Sequence, residues 1–443
     1  MQRFPNAGTP NHKILGDSLT MPFSGKVAKT RFMKAAMTER QSSWDQHDVE
    51  KRGTPSDGLI RVYGEWAKGD FGIILTGNTM MHYNQLEAPG NPIIYKPHMT
   101  PERREAFRRQ AEASKSDGSL IIMQLSHPGR QVTEAVNPDP VSASDVKLDD
   151  RMGMTFAKPH SASQAEIDEI IEEFVYASQV AHETGYDGVE LHAAHGYLLA
   201  QFLSQTTNKR TDKYGGSVTN RGRLIIEIID AIKKNVNDST FSIGIKLNSV
   251  EFQQGGFQPE EAKELCVEME EHGLDFVELS GGTYQALAFN KRESTKDREA
   301  FFLEFADIVR PALKKTVLYV TGGFRTSAAM VKAIEDGSTQ GIGLARPICT
   351  EPYLPRSLIR GDVDSAVKPI LDESDFGITN AAAGVSMTQM ARNQTPFDTS
   401  DAEQVKAFQA AMGTFMQQTQ DNAKAGVLEA GFPSWTYPYQ VSQ

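Results

Sequence analysis

The chain has 443 residues, 39% of them hydrophobic and 23% charged, the balance of a soluble globular protein long enough to bury a large core. With 57 acidic against 46 basic side chains, its net charge of −11 argues against a nucleic-acid-binding surface, though not against a local basic pocket. The two cysteines, Cys266 and Cys349, exclude a disulfide framework and a cysteine-ligated zinc or iron–sulfur site, and their scarcity fits a reducing, cytoplasmic setting. Met1–Gly16 has no apolar core of leader type, and no run approaches the roughly 20 apolar residues of a membrane helix.

In chain order, Leu19–Lys29 reads as a short hairpin. Short apolar runs then alternate with longer amphipathic ones, the pattern of strands followed by helices. Strands are expected at Arg31–Met37, Gly72–Thr79, Leu120–Ser126 and Gly188–His192, then at Ser242–Leu247, Phe276–Ser280, Val317–Thr321 and Gly341–Leu344. The clearest helices are Glu102–Ser114, Gln164–Glu183, Asn220–Val236, Pro259–His272, Asp297–Leu313 and Ser327–Asp336. Pro259 with Glu260 and Glu261 makes a good helix start, because proline suits the first turn and acids complement the dipole. This alternation implies an α/β fold, a closed (β/α)8 TIM barrel over residues 1–361 whose bottom the N-terminal hairpin closes. No glycine-rich dinucleotide fingerprint follows the first strand, so an open Rossmann sheet has no support.

Residues 362–443 are rich in Ala, Gln, Thr, Met and Asn and read as a mainly helical C-terminal extension, packed on the barrel or on a neighbouring subunit of a homo-oligomer. It holds a helix near Asp401–Ala425 and a Pro/aromatic end at Phe432–Tyr439. Within the barrel, the long loops Thr38–Asp57 and Arg130–Ser161 follow strand ends, where barrel active sites are built.

The richest segment begins where the fourth strand ends, with His192, His195 and Tyr197 in quick succession. Two imidazoles three residues apart can share one face. As neutral N–H donors they can polarise a carbonyl or nitro oxygen, and a nearby phenol can protonate an adjacent carbon. A structural histidine pair and a metal site are the alternatives. The metal reading asks for a further ligand, and Glu190, the nearest acid, lies on the strand. We therefore expect no metal.

The stretch HAAHGYLLAQFLS followed by NKRTDKYGGSVTNR resembles the hallmark segment of the Old Yellow Enzyme family of FMN-dependent oxidoreductases. The resemblance implies that His192 and His195 bind the substrate's activating oxygen and that Tyr197 donates the proton. Asn208, Arg210, Asp212, Tyr214, Gly215 and Gly216 match the turn that braces this loop. Further matches run through residues 10–360. Ala35, Ala36, Met37 and Thr38 correspond to the first-strand motif at the flavin, with Ala36 where the family often has Pro. Asn78, or Gly77 in a match shifted by one, faces the flavin after strand two. Gln124 matches the residue that pairs with the flavin pyrimidine edge. Lys246 stands where the family commonly has Arg; it keeps the cation but not the planar fork. Gly322, Gly323, Phe324 and Arg325 after strand seven, with Ala345 and Arg346 after strand eight, resemble the phosphate site. The physics agrees, since glycines and helix N-termini admit an anion to backbone N–H groups. Ser126 replaces a bulky Trp of some relatives and implies a roomier pocket.

The implied activity is that of an NADPH dehydrogenase or ene-reductase. FMN bound at the barrel mouth accepts hydride from NADPH (or NADH), and a small-molecule enone or related activated alkene is then reduced in a ping-pong cycle. Larger members add an iron–sulfur cluster and a second nucleotide domain. Without clustered cysteines, this chain is expected to take electrons directly from soluble nicotinamide. A redox-neutral flavin isomerase or a dedicated biosynthetic enzyme on the same scaffold is the alternative, and retention of Tyr197 favours the reductase. An α-hydroxy-acid oxidase-like barrel would need a different His/Arg arrangement. A non-enzymatic flavin-binding protein would not be bleached by NADPH.

Overall fold

Alternate residues of a strand point to opposite faces, so runs that are buried on both faces need cover on both. In the computed structural model, which describes residues 1–151, 153–248, 256–280 and 303–435, a closed barrel supplies it. Its strands are β1 (Phe32–Lys34), β2 (Ile73–Leu75), β3 (Leu120–Ser126), β4 (Gly188–Ala193), β5 (Ser242–Asn248), β6 (Phe276–Ser280), β7 (Val317–Thr321) and β8 (Gly341–Leu344). Each pairs in parallel with its successor, and β8 returns to β1.

The bottom of the barrel is filled. Leu19, Met21 and Ala28, on the hairpin formed by Leu19–Thr20 and Val27–Ala28, pack against Met33, Ile73, Leu75, Ile122, Phe276, Val317 and Tyr319. Two glycines make room for the largest rings. A Cβ on Gly244 would lie 2.1 Å from the Phe276 ring, and one on Gly341 would lie 2.1 Å from that of Tyr319. Each such buried side chain contributes about 1.5–3 kcal/mol.

Around the strands lie α1 (Asp57–Ala67), α2 (Pro101–Ser114), α3 (Gln164–Glu183), α4 (Val218–Val236), α5 (Pro259–Glu271), a helical stretch at 303–309 and α6 (Ser327–Glu335). Ser163 and Glu166 form a reciprocal capping box at the start of α3. Ser217 caps α4, and Asn237 ends it in the left-handed conformation. No helix among the described residues is long and apolar enough to cross a membrane.

Three local expectations differ from the structure. β1 and β2 are shorter than expected: past Lys34 the ladder ends with the bond from Ala35 N–H to Leu344 O, and past Leu75 Thr76 N–H bonds Ile122 O before strand pairing resumes at Thr79–Met80. Helix α1 was not among the clear helices; Gly58 and Gly64 weaken its propensity, and Ser56 starts it by accepting from Leu59 N–H. Of the expected helix Asp297–Leu313, residues 297–302 lie outside the described residues, and Arg310–Ala312 are 3-10 helix.

Past the barrel come α7 (Leu354–Arg360), α8 (Phe376–Ala391) and α9 (Ala402–Lys424). Ala383, Met387, Met390 and Ala391 of α8 belong to the barrel's own core cluster, whereas Val405, Phe408 and Met412 of α9 form a second cluster with Ala381 and Val385. The chain then crosses to the loop after β1. Trp44 Nε1 donates to Leu428 O at 3.1 Å, Leu428 N donates to Gln46 Oε1 at 2.9 Å, and Arg40 lies 5.3 Å from the Phe432 ring centre. Of the Pro/aromatic end, residues 436–439 lie outside the described residues.

Candidate active site

The upper interior of the barrel changes character from apolar to polar within one step of the strand period. Above the Phe276 and Tyr319 layer, inward positions are Gln124, Glu190, Lys246 and Glu278; Gln124 is in register with Glu190 across β3 and β4, and Lys246 with Glu278 across β5 and β6, Lys246 lying two residues beyond Gly244, the partner of Glu190. All four are buried. Gln124 Nε2 donates to Glu190 Oε2 at 2.6 Å, and Lys246 Nζ donates to Glu278 Oε1 at 2.8 Å.

One layer higher stand His192 and the loop after β4. The ring centres of His192 and His195 are 5.3 Å apart, and Tyr197 meets His192 edge-on at 4.6 Å. The segment folds this way because two consecutive residues take positive φ, His195 at 58° and Gly196 at 78°. Such a conformation costs a non-glycine residue about 1–2 kcal/mol, so other groups must hold it. His195 N–H donates to Asn248 Oδ1 at 3.1 Å, and Gln131 Nε2 donates to His195 O at 3.1 Å. Gln201 Nε2 donates to Gly196 O at 2.7 Å and to Pro128 O at 3.0 Å. The His195 ring pairs with Ser280 Oγ at 3.1 Å.

Both histidines are held neutral. Burial, followed by the charges of His195 and Lys246, keeps His192 well below the usual imidazole value. Burial and then Lys246 bring His195 down to about 3. Neutral imidazoles can donate N–H to an oxygen without carrying charge into the site.

The matched turn after Ser204 braces this loop from below. Asn208 Nδ2 donates to Phe202 O at 2.7 Å and Tyr214 O at 2.8 Å, and Arg210 Nη1 reaches Ala162 O at 2.7 Å. Asp212 receives Arg210 Nε and the Tyr214 N–H, each at 3.0 Å. A Cβ on Gly215 would lie 2.0 Å from Arg210 O, which only glycine permits.

At the β1 and β2 ends, Thr38 and Asn78 face each other, with Asn78 Nδ2 donating to Thr38 Oγ1 at 3.3 Å. Behind them lies a buried ionic group that the sequence reading missed. Lys34 Nζ bonds Leu75 O at 2.8 Å and Glu39 at 3.4 Å; Glu39 receives the Tyr63 hydroxyl, and Gly77 N–H donates to Tyr63 Oη at 2.8 Å. A Cβ on Gly77 would lie 2.2 Å from Glu39, so Gly77 belongs to this packing and Asn78 to the mouth. Ala35 N–H pairs with Leu344 O at 2.9 Å, Ala36 packs near the barrel floor, and Met37 Sδ lies 3.3 Å from Cys349 Sγ.

Opposite stand the loops after β7 and β8. Gly322 and Gly323 take φ of 135° and 79°, while Phe324 is buried in the core and its carbonyl accepts from Arg325 Nη1 at 2.8 Å. Arg325 pairs with Glu373 at 2.7 Å, and Arg346 donates to Thr379 Oγ1 at 2.8 Å. These four line a small, partly open cavity of about 50 Å³. Ala345 and Arg346 lead into the short helix Pro347–Thr350. Glu373 and Thr379, both in the C-terminal extension, went unread in the sequence.

These residues fit a flavin mononucleotide. Asn78 Oδ1, Ser126 Oγ, His192 Nδ1 and Asn248 Nδ2 are buried around the mouth without a hydrogen-bond partner among the described residues, and buried polar groups ordinarily have one. A cation (Lys246) and an amide (Gln124) occupy one end of the mouth, while positive-φ glycines beside Arg346 occupy the other.

Comparison with known proteins agrees. Residues 22–364 match the family model described as NADH:flavin oxidoreductase / NADH oxidase. An NADH-dependent flavin oxidoreductase of Aspergillus parasiticus is 48% identical over 402 residues, 90% of each chain. Among solved structures, an Old Yellow Enzyme homologue from Zymomonas mobilis superposes with a TM-score of 0.65 at 21% identity, over 87% of this chain and 98% of the other. A 2-naphthoyl-CoA reductase gives 0.72 at 23% identity over 90% of this chain, which spans 59% of that longer protein. The chain belongs to the NADH:flavin oxidoreductase / NADH oxidase family, the Old Yellow Enzyme family of flavin-dependent oxidoreductases.

Proposed function

We propose that the protein is an FMN-dependent ene-reductase that oxidises NADH or NADPH and reduces the C=C bond of α,β-unsaturated carbonyl compounds. The observation that carries this reading is the cluster of two neutral imidazoles with a phenol set edge-on to one of them. Bound FMN would supply the hydride-transfer chemistry. Gln124 and Lys246 would hold its pyrimidine edge, Thr38, Asn78 and the Ala35–Met37 backbone its other edge, and Gly323, Phe324, Ala345 and Arg346 its phosphate. Arg325, tied to Glu373, would build the rim of the phosphate site.

His192 and His195 would donate N–H to the substrate's carbonyl oxygen and stabilise the charge that develops there. Tyr197 would give its phenolic proton to the α-carbon. Ser126 leaves space above the β3 end for a bulky substituent. Between the two nicotinamides NADH is favoured, because the Aspergillus relative is named NADH-dependent.

The test is spectroscopic. Purified protein should show a flavin band that NADH bleaches anaerobically and 2-cyclohexenone restores. Protein without flavin, or bleaching without recovery on any of a panel of enones, would overturn the reading.

A further inference from the structure

The layer of Gln124, Glu190, Lys246 and Glu278 contains two carboxyl groups whose neighbours differ. Glu278 receives Lys246 Nζ at 2.8 Å on Oε1, and the Thr321 hydroxyl is its neighbour on β7. Glu190 receives an uncharged amide, Gln124 Nε2 at 2.6 Å, on Oε2. The remaining oxygens, Glu190 Oε1 and Glu278 Oε2, are buried with no well-formed bond from a donor, and the two carboxyl groups lie within hydrogen-bonding reach of each other. Both residues are 0% exposed.

Other charged or titratable groups facing the pair are few. His192 and His195 stand above it and are neutral, Tyr319 lies below on β7, and Lys246 is the cation. Two carboxylates meeting in such a place would repel each other with no water to screen them, and one cation cannot balance both. One proton removes both problems, turning two facing acceptors into a donor and an acceptor.

We propose that Glu190 and Glu278 hold a single proton between them, carried on Glu190 and donated to Glu278, so that the layer Gln124–Glu190–Glu278–Lys246 has no net charge and acts as a positioning unit beneath the cofactor's pyrimidine end. The directions of the acidities agree. Burial, then the charge of Glu278, lifts Glu190 well above the carboxylate range. Burial also pushes Glu278 up, but Lys246 and the bonds from its neighbours outweigh it and hold Glu278 below its usual value.

The arrangement has two consequences for Gln124 and Lys246. A Glu190 oxygen fixes the Gln124 amide by accepting from Nε2, which turns Oε1 away as an acceptor. Glu278 fixes Lys246 and neutralises it. That second effect reduces the charge that Lys246 offers a bound flavin, a difference from an unpaired cation at the same place. The role toward flavin rests on the proposed function; the shared proton does not.

The closing experiment separates the two. Infrared difference spectroscopy of the flavin-free protein at neutral pH should show a buried protonated-carboxyl band in addition to that of Glu173, which burial pushes up to about 8, and it should persist through the pH range in which surface carboxylates have all ionised. Either Glu190→Gln or Glu278→Gln should abolish it. In the flavin-loaded protein each single variant should leave the flavin reduction potential nearly unchanged, because each removes a carboxyl together with the proton it shares. Glu190→Gln should be the milder of the two. The double variant leaves Lys246 unbalanced and should shift the potential by far more than the sum of the singles. Absence of the band in the wild-type protein, or additive shifts in the variants, would overturn the shared proton. A band in protein that binds no flavin would keep it and sink the flavin reading instead.

Discussion

The loop after β4 and the loops after β7 and β8 reach the same barrel mouth, but they are held in opposite ways. The first is braced from within the barrel and its loops. Gln131 and Gln201 grip the positive-φ pair His195–Gly196, and Asn208, Arg210 and Asp212 tie the following turn to Phe202, Ala162 and Tyr214. The second is braced from a distance, by Glu373 and Thr379 of the C-terminal extension acting on Arg325 and Arg346. A barrel-braced proton-donor region and a tail-braced phosphate region should fail independently, and each experiment below sets one against the other.

The largest effect is expected from Tyr197→Phe. Loss of a general acid costs about 10²–10⁴-fold, and here it should fall on flavin reoxidation by 2-cyclohexenone. Reduction by NADH should stay within about threefold, a margin below the smallest general-acid loss. Stopped-flow measurement of both half-reactions checks this, and equal losses in the two would contradict the assigned role. FMN affinity should not move, because the phenol lies on the β4 side.

Next comes Gly196→Ala. A residue there would adopt φ near 78°, with its Cβ 2.6 Å from Gln131 Oε1. The conformational cost is about 1–2 kcal/mol, plus the displacement of Gln131 from His195 O. The expected outcome is a lower melting temperature and weaker enone binding with unchanged FMN affinity. Loss of FMN as well would show that the two regions are coupled.

Legibility in the sequence follows the same division. The β4 region could be read because its working residues and part of its bracing, Gln201 and Asn208 to Gly216, sit together between Leu191 and Arg221, although Gln131 and Asn248 act on it from 64 and 53 residues away. The barrel could be read from short apolar runs alternating with longer amphipathic ones, since each strand's inward and outward faces are both buried. Helix α8 escaped because it is buried nearly all round, and Ala, Gly, Ser and Thr along it leave no apolar stripe. Glu373 and Thr379 escaped, like Gln131 on the other side, because they act across the chain, 48 and 33 residues from their partners, and no local spacing announces that. Glu190, Lys246 and Glu278 left a usable signal, one charge in each of three otherwise apolar strands. It becomes meaningful once the register pairs Lys246 with Glu278 and sets Lys246 two residues along from Gly244, the partner of Glu190.

Acid should weaken the mouth on the β3 and β4 side first. His127 ends β3; its Nδ1 accepts the Gly129 N–H at 3.0 Å and its carbonyl accepts from Leu198 N, one residue past Tyr197. Burial, followed by the charge of His82, lowers its pKa to about 3. The unfolded chain, with an ordinary value near 6.5, therefore takes up this proton first as the pH falls. The stabilisation is complete above about pH 6.5 and is lost progressively below it, by roughly 2 kcal/mol at pH 5 for this one group. Denaturant titrations at pH 7 and pH 5 would measure the loss, to which His192 and His195 add in the same direction, and His127→Gln should reduce it by this one group's share. Hydrogen exchange at pH 5 should show the segment 127–201 opening before α8. The reverse order would mean that the tail, not the β4 region, is the acid-sensitive part.

The smallest effect tests the tail directly. The Thr379 hydroxyl accepts from Arg346 at 2.8 Å and donates to Asp375 O at 2.8 Å, so it links the proposed phosphate arginine to the first turn of α8. Thr379→Val keeps the shape and removes both bonds. One lost hydrogen bond to a charged group is worth about 1.5–3 kcal/mol in a buried setting and less where the cavity admits water. The expected change is therefore a roughly fivefold to tenfold weaker FMN affinity, read by fluorescence recovery of released flavin. Glu373→Gln should act in the same direction through Arg325. With flavin saturating, both variants should reoxidise with enone at the wild-type rate, since neither residue touches the β4 loop. If FMN affinity is unchanged in both, the extension only covers the phosphate region and its arginines hold their geometry without it. If reoxidation slows instead, the bracing on the two sides of the mouth is a single unit.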